Sequence, residues 1–133
     1  MICLLDTHYL LWALTDTKKL PVKVKEVLMD PDNRIIISTV SFWEIALKTS
    51  LGKLTLTGTS SADIPDTCLQ IGFEIKILTP EDASTYHRLK ATHHKDPFDR
   101  MLIWQAIRNN YIFISADKEV KKYASNGLKI LTA

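Results

Sequence analysis

Cysteine is nearly missing from this chain, with two in 133 residues, and no apolar run is long enough to span a bilayer. Cys3 and Cys68 sit in apolar surroundings without metal-ligand spacing, so they read as reduced core residues rather than a disulfide or a thiolate site. The apolar opening MICLLDTHYLLWAL has no basic start, carries Asp6 in its middle and falls short of the roughly 20 residues that a spanning helix needs. Neither export nor membrane insertion is expected, and a cytoplasmic protein is. Charge of one sign is missing too: 17 basic and 15 acidic residues leave a net +2 and a pI near 8.5, which only faintly favours a polyanionic partner. There is no repeat, low-complexity tract or disordered tail. Of the four glycines, Gly52 and Gly58 go with a polar, Thr-rich connector around Leu54 to Ser61, and Gly72 and Gly127 are placed to close helices.

What is present fits one globular domain over residues 1–133, with 46% hydrophobic and 24% charged residues. Ile2 to Leu5, Arg34 to Ser38, Phe73 to Leu78, Ile112 to Ser115 and Lys129 to Leu131 are short strand-like runs, mostly continuous in apolar character as strands covered on both faces are. Helical patterns separate them over Thr7 to Leu14, Val22 to Met29, Ser41 to Leu51, Asp63 to Ile71, Pro80 to Thr92, Pro97 to Asn110 and Lys118 to Ser125. The alternation predicts an α/β fold, a parallel sheet of about five strands flanked by helices.

Asp6, Glu44, Asp99 and Asp117 each fall where an apolar run ends or a helix begins. In a parallel sheet those positions share one edge, where open α/β sheets bind ligands. Four converging carboxylates repel one another unless a divalent cation neutralises them or some are protonated, and magnesium or manganese is the simplest such ion. Each acid also has a structural reading as a helix cap. Ser41 to Glu44 has capping-box spacing, Asp96 and Pro97 form a cap pair before Asp99, and Asp117 precedes the helix at Lys118. Glu81 and Asp82 after Thr79 show the same chemistry and read as structural. Helical phase sets Glu44 and Asp99 apart: Val40, Glu44, Leu47 and Leu51 share a face, as do Asp99, Leu102, Ile103, Ala106 and Asn110. Lys48, one turn beyond Glu44, offers that residue a salt bridge; no comparable partner is expected for Asp6.

LLDTHYLLWAL, STVSFWEIALKTSLGKL, HHKDPFDRMLIWQA and FISADKEVKKY, taken in that order, resemble the PIN-domain nucleases, specifically VapC-type toxins of bacterial toxin-antitoxin pairs. The resemblance covers nearly the whole chain, and the family's acids fall on Asp6, Glu44, Asp99 and Asp117. It implies a metal-dependent endoribonuclease acting on RNA, a homodimer, and inhibition by a small cognate antitoxin. All four acids are present, which argues against a degenerate copy. Thr7 and Ser115 carry hydroxyls beside the acids that either orient a water or bond backbone. Asp96 matches the family box, yet its best physical role is to cap the helix that carries Asp99.

Lys48, Lys95, Arg100 and Lys118, extended by Lys53 and Arg88, are candidates to guide the RNA backbone, although surface charge explains each singly. Trp43, Trp104, Phe98 and Tyr86 either stack on bases or belong to the core. His93 and His94 with Asp96 form a weaker transition-metal candidate, since adjacent histidines point apart and no distant third ligand presents itself. His8 and His87 have no evident role. Two rival classes remain. One is a receiver-like phosphoacceptor domain, which needs a second acid beside Asp6; the other is a catalytically silent RNA-binding or interaction module that uses the acids only as caps.

Overall fold

The computed structural model describes residues 1–94 and 96–131. Five strands form a wholly parallel sheet: β1 (Ile2–Leu5), β2 (Arg34–Ser38), β3 (Glu74–Lys76), β4 (Ile112–Ile114) and β5 (Lys129–Ile130), in the order β3-β2-β1-β4-β5. The expected fold class is the one observed. The order differs from the 2-1-3-4-5 of receiver-like domains, which removes that rival. Because the chain runs outward from β1 through β2 to β3 and then restarts at β4 on the opposite side, the topological switch point lies between β1 and β4.

The short continuous apolar runs make strands covered on both sides, as their alternation shows. Cys3, Leu5, Ile35, Ile37 and Ile114 pack on one face beneath α1 (Thr7–Thr15), α2 (Val22–Met29) and α4 (Ile64–Gln70), where Cys3 and Cys68 are buried and unbridged. Leu4, Ile36 and Phe113 face the other way, onto Leu102, Ile103 and Ala106 of α6 (Pro97–Asn109). The third helix, α3 (Thr39–Ser50), sends Ile45 to the first core and Val40 to the second.

Several boundaries differ from expectation, for physical reasons. The helix expected over Pro80 to Thr92 stops at Ser84 as α5 (Pro80–Ser84), followed by one 3₁₀ turn at Tyr86–Arg88. The guanidinium of Arg100 takes the carbonyls of Leu89 and Ala91, and Trp104 Nε1 donates to Thr85 Oγ1, so α6 holds this segment in a non-helical path. Lys118–Asn126 is 3₁₀ rather than α-helical, a geometry that aligns residues three apart and so buries Val120 and Tyr123 together. Helix α3 begins at Thr39 with Ser38 as its cap, so Ser41 and Glu44 form no capping box. Leu51, expected on the inward face with Glu44, is exposed. Among the described residues no helix is long and apolar enough to cross a membrane.

Candidate metal centre

Asp6 is where β1 hands over to α1, and its surroundings correct the expectation that it lacks partners. Its N–H extends the ladder to Ile114 O at 3.0 Å. Oδ1 caps α1 by accepting from Tyr9 N at 2.7 Å, and Oδ2 accepts from Ser115 Oγ and Ala116 N, both at 2.8 Å. The carboxylate thus spans the switch point, joining the end of β1 to the end of β4. Ser115 Oγ in turn accepts from Asp117 N at 3.0 Å, so one hydroxyl links the two acids. Asp99 enters from the first turn of α6, whose cap, Asp96, accepts from Phe98 N and Asp99 N. Asp6, Asp99 and Asp117 line one cavity of about 320 Å³ with His8, His94 and Ser115.

Glu44 lines a neighbouring cavity of about 190 Å³ with Lys48, Lys53 and Thr7, and His8 lines both. Glu44 is only 4% exposed. Its Oε2 pairs with Lys48 Nζ at 2.5 Å, and its buried Oε1 has no hydrogen-bond partner among the described residues. The four acids therefore gather at one edge but do not close on a point. No three carboxylates, imidazoles or thiols among the described residues stand close enough to chelate one ion as they lie.

The fields are unequal. Burial, reinforced by the charges of Asp96, Glu44 and Asp117 and opposed by His94, pushes Asp99 up to about 6. Burial also raises Asp6, although its bonds from Tyr9, Ala116 and Ser115 work against the shift. Asp117 goes the other way: burial pushes it up, but the hydrogen bond from His94, the Glu119 N–H and the charges of His94 and Lys122 outweigh that and leave it below the ordinary carboxylate range.

The family model for the PIN domain matches residues 3–126. This chain belongs to the PIN domain family. A search of curated proteins found no match. Among solved structures, this PIN domain is similar to the chains in VapBC2 from Rickettsia felis bound to a promoter DNA fragment (18% identity, 98% of each chain covered, TM-score 0.72). It is also similar to DNA-bound VapBC from Salmonella typhimurium (14%, 98% of this chain and 97% of that one, 0.71) and to VapBC-1 from nontypeable Haemophilus influenzae (16%, 98% and 97%, 0.65). At these identities the likeness is one of fold.

Other candidates in the PIN domain are less free than their types suggested. Thr7 lines the smaller cavity, but its Oγ1 donates to Ser41 Oγ at 2.9 Å and ties α1 to α3. Arg100 is committed: Nε donates to Tyr86 OH, Nη1 and Nη2 to the carbonyls of Ala91 and Leu89, and the group lies over the Tyr86 ring. Lys53, Arg88 and Lys118 are exposed, and Lys95 lies outside the described residues. Phe98 and Trp104 are core; Trp43 is 61% exposed, edge-on to Phe98. The weaker transition-metal grouping is not assembled: Asp96 caps α6, His94 turns to Asp117, and His93 packs on the Tyr123 ring. Two features escaped sequence reasoning. Ser38 Oγ donates to Gln105 Oε1, Gln105 Nε2 to Asp82 Oδ2 and Arg108 Nε to Asp82 Oδ1, a buried network under the end of β2 that makes Asp82 structural beyond its place at the start of α5. His94 bonds Asp117, a contact that no spacing announces.

Proposed function

We propose that this PIN domain is a metal-dependent endoribonuclease and the toxin of a toxin-antitoxin pair. The observation that carries this reading is the gathering of Asp6, Asp99 and Asp117 on one cavity at the switch-point edge, where burial first and the charges of Asp96, Glu44 and Asp117 next push Asp99 up to about 6. Hard oxygen donors suit magnesium or manganese. The buried Oε1 of Glu44, without a hydrogen-bond partner among the described residues, is a ligand atom in want of a cation. Magnesium keeps several waters and is commonly held by one or two carboxylates together with substrate phosphate, so the acids need not close on one point to bind it.

Asp6, Glu44, Asp99 and Asp117 would hold the ion, which when bound supplies Lewis-acid polarisation of the scissile phosphodiester and lowers the pKa of the attacking water. Asp6 enters this task already fixed by three donors. Lys48 keeps Glu44 in place on α3 and brings a positive charge to the rim of the site, where a phosphate arrives. Attack by water does not use the RNA 2′-hydroxyl, so the products carry 5′-phosphate and 3′-hydroxyl ends.

The toxin assignment is supported by the sequence resemblance and by the fold shared with chains crystallised as VapBC. It brings a homodimer and a small antitoxin that places an Arg or Lys against the acids. One observation favours the silent-module alternative: Asp6, Asp96 and Asp117 all cap helices, a sufficient structural reason for each. Expressing wild type and Asp99→Asn, with and without any small reading frame that neighbours this gene, decides between them. Growth arrest is expected from the wild type alone. Arrest that persists in Asp99→Asn, or fails to appear with soluble wild type, contradicts the toxin reading.

A further inference from the structure

Asp117 differs from Asp6 in how it is held. Its side chain is 43% exposed, on the segment between β4 and the 3₁₀ run. Oδ1 accepts from Glu119 N at 2.8 Å, capping the 3₁₀ run. Beyond this cap, the Asp117 carboxylate is held by His94, whose Nε2 lies 2.5 Å from Oδ2. The His94 side chain is 9% exposed. Behind it, the Tyr123 hydroxyl is 3.2 Å from Nδ1 and 2.9 Å from the backbone N of His94. Tyr123 is fully buried with Leu102 and Leu128, its ring 5.4 Å from that of His94, and His93 stands edge-on to it at 5.1 Å.

A backbone N–H only donates, so the Tyr123 oxygen accepts from His94 N while its own proton stays available to Nδ1; the ionised Asp117 carboxylate only accepts, which calls for the proton of a neutral His94 on Nε2. Nδ1 is then the acceptor of the ring. Both ring nitrogens are then occupied, so His94 is no metal ligand itself. Each oxygen of Asp117 has accepted one bond, leaving a lone pair apiece. We propose that Tyr123 and His94 form a positioning clamp that holds the His94 ring and presents the Asp117 carboxylate to the divalent cation. Partners of this kind, standing behind a ligand, typically govern metal affinity about 10–100-fold. The inference rests on the metal-centre reading above for its ligand and on the geometry alone for its tautomer.

Manganese titration of the purified full chain without nucleic acid, followed by the loss of the free-ion EPR signal, tests the ligand. ¹⁵N-histidine NMR at about pH 8.5, above the ordinary histidine range, tests the tautomer. His94→Leu should weaken manganese binding by at least about tenfold, whereas His94→Gln, which restores an N–H donor near Nε2, should stay within about threefold of wild type. Tyr123→Phe keeps the buried ring and should move the His94 Nδ1 resonance toward that of a nitrogen without a hydrogen bond, while Asp117 keeps the proton on Nε2. Wild-type manganese affinity in folded His94→Leu, or a wild-type proton on Nδ1, overturns the clamp. Wild type that binds no manganese overturns the metal reading; the tautomer measurement then still decides the clamp, including where His94→Leu fails to fold.

Discussion

Replacing Asp99 by Asn should stabilise the metal-free protein at neutral pH, an unusual effect for a change in a functional pocket. Asp99 is raised from the ordinary 3.8 to about 6, by burial first and then by Asp96, Glu44 and Asp117. A rise of about two units corresponds to roughly 3 kcal/mol of disfavoured ionisation, at about 1.4 kcal/mol per unit. Asp99 is only half-buried, so solvent screening reduces this to about 1–2 kcal/mol. Loss of a negative charge in the first turn of α6 takes back about 0.3–1 kcal/mol, leaving a net gain near 1 kcal/mol. The sign follows from linkage. Between pH 4 and 6 the folded state holds the Asp99 proton that the unfolded state has lost, so wild-type stability contributed by this group is full below about 4 and declines until about 6. The amide has no such dependence. Asp82 and Asp117, both lowered, give the opposite slope in both proteins, so the quantity to follow is the difference between the variants at each pH. Urea unfolding in chelator from pH 4 to 7 should show the curves close together at the acid end and separated at neutrality, with equal m-values. A neutral or destabilised Asp99→Asn at pH 7 refutes the idea that the site is electrostatically overloaded.

Asp6→Asn, Glu44→Gln and Asp117→Asn should each lower RNA cleavage by about 100-fold or more, beyond the effect typical of residues that merely stand behind metal ligands, with circular dichroism unchanged. Full turnover in the set would leave capping as their whole role. Asp82→Ala should do the reverse. It strands Arg108 and Gln105 in a buried network and should cost about 2–4 kcal/mol in urea unfolding, while the folded fraction keeps its cleavage rate. An activity loss at constant stability would move Asp82 into the site.

The parts of the fold legible in the sequence were those set by local pattern. The runs at Ile2, Arg34 and Ile112 are apolar on both faces because the sheet is covered twice, and the acids at their ends follow from parallel direction alone. Tertiary demands overrode local propensity elsewhere. Pro80 to Thr92 has helix-forming character, yet Arg100 and Trp104 of α6 claim its backbone and side-chain groups. The capping-box spacing of Ser41 and Glu44 was misleading because Ser38, already at the end of β2, starts the helix a turn earlier and leaves Ser41 to Thr7. The four acids were legible by position, whereas their distribution over two adjoining cavities was not, since it depends on where His8 projects. His94 and Tyr123 were least legible of all. The bonds of His94 to Asp117 and Tyr123 join two segments through side-chain orientation, which leaves no periodic trace.

The central claim, that this edge of carboxylates cleaves RNA through a divalent cation, is tested most directly by incubating purified protein with 5′-labelled single-stranded RNA in chelator and then in magnesium or manganese. Asp99→Asn purified in parallel controls for contaminating nuclease. The account predicts no cleavage in chelator, restored cleavage with either ion, 5′-phosphate and 3′-hydroxyl ends on the products, and none of this from Asp99→Asn. Undiminished cleavage in excess chelator, or cleavage by Asp99→Asn equal to wild type, would contradict it.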